Sequence, residues 1–382
     1  VALTPDSLHA IRGGRSSVKW TRYSADVIPL SVAEMDYAVA PSVADAIVER
    51  VRASDFGYLD SPGPLAGAFA AFAARRWCWA VDPASVRVTT DVSAAIVESL
   101  RYGIPRGGTV VINPPVYTAF YELVDEAEAV RRDVPLLVEG TAWSMDFGAL
   151  EAAFAEGADA FLLCNPQNPL GHVFDRATLS EVARLAAKHD VLVISDEVHA
   201  PLTHPGTTFV PFAAVAREHG ARCITVTSAS KGWNLAGAKC AILVGADERA
   251  VAVLDRFPGE VTCRTSILGL HANVAAFAAV DWLDDTIDRI VANDELLAGV
   301  LRDRLPGAVY HRPAASYLGW IDLRSYGLGP DPAATLIASA RVALNSGHSY
   351  GAAYDGFVRI NLACDPALLV EAVERIGGFL ER

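Results

Sequence analysis

Lysine is scarce in this chain: only four of its thirty-two basic residues are lysine, at positions 19, 188, 231 and 239. Cysteine is thin as well, with six residues scattered along 382 and no Cys-x-x-Cys pair. That spacing argues against a zinc ribbon, a dithiol redox site or a disulfide framework, and the cysteines read as reduced core thiols of a cytoplasmic protein. No basic run interrupts a net charge of −13, so a nucleic-acid surface, which relies on clustered Lys and Arg, is not expected. Long apolar runs are missing too. The two most apolar helix-like stretches, 65–74 and 266–280, are too short or carry His271 and Asn273, which excludes them as membrane spans. Residues 1–20 contain no apolar core of the kind a secretion signal needs, so none is expected. Internal repeats, low-complexity blocks and Pro-rich linkers are likewise not found.

What remains is a well-stocked globular composition. Apolar residues make up 52% of the chain and charged residues only 20%; disorder is excluded and a large core can be built. At 382 residues the chain exceeds the size at which one core keeps growing, so two domains are expected. We place an N-terminal arm at 1–40, a large domain at 41–284 and a smaller one at 285–382. Short, partly β-branched apolar runs at 86–89, 109–112, 161–164, 191–195, 223–226 and 240–244 read as buried strands. Helical patterns lie between or after them, at 41–53, 96–102, 179–189, 267–282 and 285–305. Continuous apolar strands alternating with helices point to an α/β fold with a mostly parallel sheet covered on both faces. The last part alternates strands (319–323, 357–362) with helices (333–341, 366–380), an α+β layer.

Several residues stand out against this framework. Lys231 sits in a turn between two buried strands, where desolvation lowers the pKa of an amine toward the nucleophilic range and suits it to Schiff-base chemistry; the plainer reading is a surface strand cap. Asp196 ends the run 191–195, as a helix cap or as a metal ligand. No His, Cys or carboxylate cluster at ligand spacing accompanies it, so no metal is expected. The strand 86–89 feeds a helix near 91–95, and unpaired N–H groups at such a helix start form an anion site; Asp91 there reads equally as an N-cap. Asn165-Pro166-Gln167-Asn168-Pro169 follows another strand, and two Asn-Pro steps force a non-helical loop at the strand's C-terminal edge, where open α/β sheets bind ligands. Tyr58 and Tyr117 follow a helix and a strand, where aromatics commonly just cover core. Arg359, within a strand, reads either as an edge charge or as a carboxylate clamp.

The pattern Ser228, Ser230-Lys231, Asn234-Leu235-Ala236-Gly237, Lys239 resembles the lysine motif of the pyridoxal-phosphate (PLP) enzymes of the aspartate aminotransferase superfamily, fold type I. Within it, the Lys-Trp at 19–20, the turn Glu34-Met35-Asp36-Tyr37, His199 and Lys239 are similar to the MalY/PatB branch, cystathionine β-lyases and related C–S lyases. The resemblance spans nearly the whole chain. It implies a large domain with a mostly parallel seven-stranded sheet between helices, and a smaller α+β domain joined by the arm. It implies PLP carried on Lys231, with Asp196 paired to the pyridinium nitrogen. Tyr117 stacks on the ring, Asn168 bonds the phenolic oxygen and His199 borders the cofactor. Val92, Ser93, Ser228 and Lys239 hold the phosphate, and Tyr58 reaches the phosphate of a neighbouring subunit, so a homodimer with shared active sites follows. Arg359 takes the substrate α-carboxylate, and Asp36 borders the substrate. Gln167 and His172 depart from many relatives and bear on substrate contacts. The activity implied is C–S β-elimination on an amino-acid thioether such as L-cystathionine. The alternatives are an aminotransferase using the same residues and, from another class, a regulatory protein on this scaffold.

Overall fold

The structure, a computed structural model, describes residues 12–381; the first part of the expected arm, 1–11, lies outside the described residues. The chain divides into two units. The larger comprises Val39–Gln167 and His172–Asp284; the smaller comprises the segment up to Ala38, Asn168–Gly171 and the chain from Asp285 onward.

The larger unit is built on a seven-stranded sheet. Its strands are β1 (Val86–Thr89), β2 (Thr109–Ile112), β3 (Val130–Asp133), β4 (Ala160–Cys164), β5 (Leu192–Asp196), β6 (Cys223–Thr227) and β7 (Ala241–Gly245), in the order β1-β7-β6-β5-β4-β2-β3. β7 runs antiparallel to both of its neighbours, and every other pairing is parallel. Every residue of β4 through β7 is buried, which is why these strands read as unbroken apolar runs instead of alternating ones. Ile96 and Leu100 of the helix Val92–Gly103 and Phe120 and Val124 of the helix Ala119–Glu126 pack with Leu162, Ile194, Ile224 and Leu243 in one core. β3 differs: Val-Arg-Arg-Asp lies fully exposed at the sheet edge, and its charges protect that edge from further pairing.

Aspartate starts many of the helices. Asp91, Asp146, Asp175, Asp247 and Asp331 each accept a hydrogen bond from the backbone N–H three residues on, and Asp365 from the one two residues on. A cap of this kind is worth about 1 kcal/mol over alanine. The expected helix over 267–282 is in fact two. The helix Ile267–Ala278 ends where Ala279 leaves helical geometry at φ −83°, ψ 59°, and Val280–Arg304 begins at once and runs through the division at Asp284. Lys231, expected in a turn, lies in a single helical turn, Ala229–Gly232.

The smaller unit carries an antiparallel sheet of β8 (Val309–His311), β9 (Leu318–Asp322), β10 (Asn345–Ser346) and β11 (Phe357–Asn361), ordered β8-β9-β11-β10. The helices Pro332–Ala340 and Pro366–Leu380 belong to this unit. The arm is not simply extended. It makes a helical turn at Val18–Thr21, then pairs Ile28–Pro29 in parallel with Val342–Ala343. Among the described residues no helix is long and apolar enough to cross a membrane.

Candidate active site

β1, β2, β4, β5 and β6 all point the same way, and β7 enters from the edge where they end. Asp91, Val92 and Ser93 follow β1, Tyr117 follows β2, Asp196 ends β5 with His199 just beyond, Ser228 and Lys231 follow β6, and Lys239 precedes β7. Residues far apart in sequence thus emerge along one edge of one sheet, the edge on which open α/β sheets place their ligands.

Ser228 shapes the turn that carries the lysine. Its side chain accepts from Ser230 N–H at 3.0 Å and donates to Cys240 O at 2.7 Å, tying the end of β6 to the start of β7. Asn273 supplies a further fastening that the sequence did not disclose: its Oδ1 accepts from Ala229 N–H at 2.9 Å while its Nδ2 donates to Gly269 O at 2.8 Å. Gly269 must be glycine, because a Cβ there would overlap the Ala238 carbonyl. Trp233, fully buried among Phe72 and Phe277, locks the other end of the turn. Lys231 itself is half-buried.

Asp196 is buried and accepts from Val198 N–H at 3.1 Å. Burial pushes its carboxyl up to about 6, opposed by that hydrogen bond and by the positive charge of Lys231. Its neighbour Glu197 has a structural task. Its Oε1 accepts from Ser195 Oγ at 3.0 Å and from Phe212 N–H at 2.8 Å, and burial raises it to about 8. His199, also buried, opens the short helix Ala200–Leu202. Gly232 lies against Pro201 of that helix, so a Cβ would sit 3.1 Å from the Pro201 Cβ.

At the start of Val92–Gly103, Asp91 caps Ala94 N–H at 2.9 Å with one oxygen and binds Lys239 Nζ at 2.9 Å with the other. Lys239 is exposed and has a left-handed backbone, φ 57°. The N-cap reading of Asp91 holds, and its second oxygen also neutralises the nearby lysine. Tyr117 is half-buried, edge-on to Phe120 at 6.0 Å, and follows the cis Pro114–Pro115 step. Gln167 is buried and donates through Nε2 to Asn113 O at 2.9 Å and Pro115 O at 2.8 Å. It holds the loop leading to Tyr117, which is where its amide goes instead of toward a substrate. His172 accepts from Gln167 N–H through its carbonyl at 2.7 Å. Tyr58, at 89% exposed, and Phe56, at 62%, stand out from the loop after the helix Pro41–Arg52.

In the smaller unit, Arg359 on β11 is buried. Its Nη1 donates to Asn168 Oδ1 at 2.9 Å and to Tyr350 Oη at 2.8 Å, and its Nη2 donates to Ser31 O at 3.0 Å. Because Asn168 spends its oxygen on Arg359, its amide N–H groups are the ones left to face a ligand oxygen. Asp36 forms a buried ion pair with Lys19. Lys19 also donates to Glu34 O at 3.0 Å, and Asn361 Nδ2 donates to Val32 O and Glu34 O, both at 2.7 Å. Asp36 thus locks the turn that brings the Ser31 carbonyl to Arg359. Ser31, Tyr350 and Asn361 escaped the sequence reading because nothing in their local pattern marks a contact made across the fold.

The donor set fits pyridoxal phosphate. An amine and a buried acid raised in pKa, one turn after β6 and at the end of β5, match an aldehyde to be bonded and a ring cation to be paired. The opening N–H groups of Val92–Gly103 suit a phosphate. Among the described residues no cluster of His, Cys, Asp or Glu could hold a metal ion.

This sheet order and this edge define the fold type I class of PLP-dependent transferases. The family model for aminotransferase class I and II matches residues 25–376, and the chain belongs to that family. A Mycobacterium leprae protein provisionally named cystathionine β-lyase is 39% identical over 389 residues, covering 96% of this chain and 95% of its own. The cystathionine β-lyase PatB of Bacillus subtilis is 31% identical over 382 residues, covering 97% and 98%. Among solved structures, a protein from Corynebacterium diphtheriae provisionally described as a PLP-dependent β-cystathionase superposes with a TM-score of 0.93 at 32% identity, covering all of both chains.

Proposed function

We propose that the protein is a PLP-dependent C–S β-lyase that cleaves a cysteine thioether such as L-cystathionine to a thiol, pyruvate and ammonia. The observation that carries the reading is the gathering of Lys231, Asp196, Ser228, Tyr117 and the start of Val92–Gly103 on one sheet edge, in a chain whose relatives bear the cystathionine β-lyase name. The cofactor, when bound, supplies an electron sink for the carbanion at Cα.

The protein's own groups do the rest. Lys231 Nζ would hold the cofactor and, when free, take the proton from Cα. Asp196 holds the ring nitrogen in its protonated form. Burial sets the Asp196 carboxyl at about 6, and that value would fall once a protonated ring nitrogen lies beside it, because an opposite charge favours the carboxylate. Tyr117 would stack on the ring, contributing roughly 1 kcal/mol beyond buried area, Asn168 would donate to the phenolic oxygen and His199 would border the ring. Backbone N–H of Val92 and Ser93, with the hydroxyl of Ser93 and the charge of Lys239, would hold the phosphate, while Ser228, whose hydroxyl hydrogen goes to Cys240 O, shapes the turn beside it. Arg359 binds the α-carboxylate, and Asp36 acts through the turn it locks. After Lys231 has taken the Cα proton, the electron pair left at Cα would form a Cα–Cβ double bond as the Cβ–S bond breaks with its pair on sulfur, which takes a proton to give the thiol. Lys231 would take the cofactor back and release the enamine, which water converts to pyruvate and ammonia.

The exposed Phe56 and Tyr58 support a homodimer in which Tyr58 completes the partner subunit's phosphate site, in a cytoplasmic enzyme. The second reading, an aminotransferase, is favoured by the family match itself, since fold does not fix reaction. The two separate on incubation with L-cystathionine without a keto acid: pyruvate and thiol in equal amounts support elimination. No product there, but turnover of an amino donor once a keto acid is supplied, would move the assignment to transamination.

A further inference from the structure

We propose that Tyr350 is a positioning residue that sets which edge of the Arg359 guanidinium is presented to the substrate carboxylate; this rests on the reading of Arg359 as the carboxylate's partner. Arg359 Nη1 carries two hydrogens, and both are engaged, one by Asn168 Oδ1 at 2.9 Å and one by the Tyr350 hydroxyl at 2.8 Å. Ser31 O takes one hydrogen of Nη2 at 3.0 Å. Nε is buried and has no partner among the described residues. Nε and Nη2 flank the same edge of the guanidinium, and a planar carboxylate is received there side-on through two N–H bonds. Without the hydroxyl, Nη1 would keep an unsatisfied hydrogen and the end-on edge, Nη1 with Nη2, would compete for the same carboxylate.

The hydroxyl is fixed in place by packing. Tyr350 is 1% exposed and ends the short helix Gly347–Tyr350. Its ring meets Trp320 edge-on at 5.2 Å, and Trp320 stacks on Phe357 at 5.3 Å with 13° between the planes. Trp320 lies directly opposite Arg359 in the pairing of β9 with β11, and Phe357 is two residues before it, so the aromatic stack and the arginine share one face of the sheet. Gly347 permits this approach, since a Cβ there would overlap the carbonyls of Tyr354 and Phe357.

The test uses the PLP-loaded enzyme and its Tyr350→Phe variant, which loses one oxygen and keeps the ring. Binding of L-alanine is titrated through the visible absorbance of the bound cofactor and compared with ethylamine, which has the amine but no carboxylate. Loss of one hydrogen bond to a charged group predicts that Tyr350→Phe weakens L-alanine by about tenfold and leaves ethylamine within about twofold. Equal weakening of both ligands, or of neither, overturns the proposal. Arg359→Ala in the same titration separates the two levels. If it leaves L-alanine binding unchanged, the carboxylate reading of Arg359 falls and the proposal with it. If it weakens L-alanine while Tyr350→Phe does not, only the role of Tyr350 falls.

Discussion

Replacing Lys19 by methionine removes one half of the least solvated ion pair in the smaller unit. The side chains of Lys19 and Asp36 are 0% and 2% exposed, and burial already pushes the Asp36 carboxyl above its usual range while Lys19 opposes the rise. In Lys19→Met the carboxylate loses its counter-charge in a site with almost no water, so the cheaper course is to take up a proton. For an acid whose unfolded value is 3.8, keeping that proton at pH 7 costs about 4 kcal/mol at roughly 1.4 kcal/mol per pH unit, in line with the ~3–5 kcal/mol of broken buried pairs. At pH 5 the same step costs only about 2 kcal/mol. The folded-state pKa of this acid is raised, so its penalty grows as pH rises above 3.8. Unfolding of the cofactor-free parent and variant by heat and by urea should therefore show a deficit that about halves between pH 7 and pH 5, with a melting temperature lower by on the order of 10 °C at pH 7. Lys19→Met with Asp36→Leu should recover most of the loss, since an apolar pair leaves no stranded charge. A deficit under about 1 kcal/mol at pH 7, as for a surface pair, or one that does not change with pH, would refute the reasoning.

Asp91→Asn should keep the cap on Ala94 N–H and release Lys239 from its counter-charge; the apoprotein should then bind pyridoxal phosphate several-fold more tightly in low salt, with pyridoxal unaffected, and equal shifts for both would contradict a phosphate at this helix start. Glu197→Gln keeps the acceptor used by Ser195 and Phe212. Because the folded value of Glu197 is raised to about 8 from 4.5, the parent loses stability as pH rises through that window at up to about 1.4 kcal/mol per unit. The glutamine variant should show a flatter profile between pH 5 and pH 8 in thermal melts, and an unchanged slope would show that Glu197 is not the group that titrates.

The sheet was legible because burial on both faces demands what the sequence displays, unbroken Val, Leu and Ile runs such as Leu192–Ile194 bounded by Asp, Ser or Gly. β3 was not, since an exposed edge strand needs no apolar pattern and Val-Arg-Arg-Asp has none. The split of the stretch 267–282 at Ala279 was equally invisible, because alanine is a good helix former and only tertiary packing, including the bond from Trp233 Nε1 to Ala279 O at 3.2 Å, marks the break. In the candidate site, Lys231 between two strands and Asp196 at a strand end stood out, because a charged residue interrupts an apolar run there. Gln167, Asn273 and Tyr350 work by bonding groups 52, 44 and 9 residues away. Nothing in the local pattern around any of the three marks such a bond. Asp36 was found, but its partner Lys19 was not read as such, and that partner turns a candidate substrate contact into a lock on the arm.

Reducing the PLP-loaded enzyme with sodium borohydride, then digesting it and locating the pyridoxyl group by mass spectrometry, interrogates Lys231 directly. Of the four lysines, Lys231 is the one that follows β6 and acts electrostatically on the buried Asp196 at the end of β5. The adduct should lie on Lys231 alone and vanish, with the cofactor's visible absorbance and all β-elimination, in Lys231→Ala. An adduct on one of the other three lysines, or elimination that persists without Lys231, would contradict the assignment of the active site.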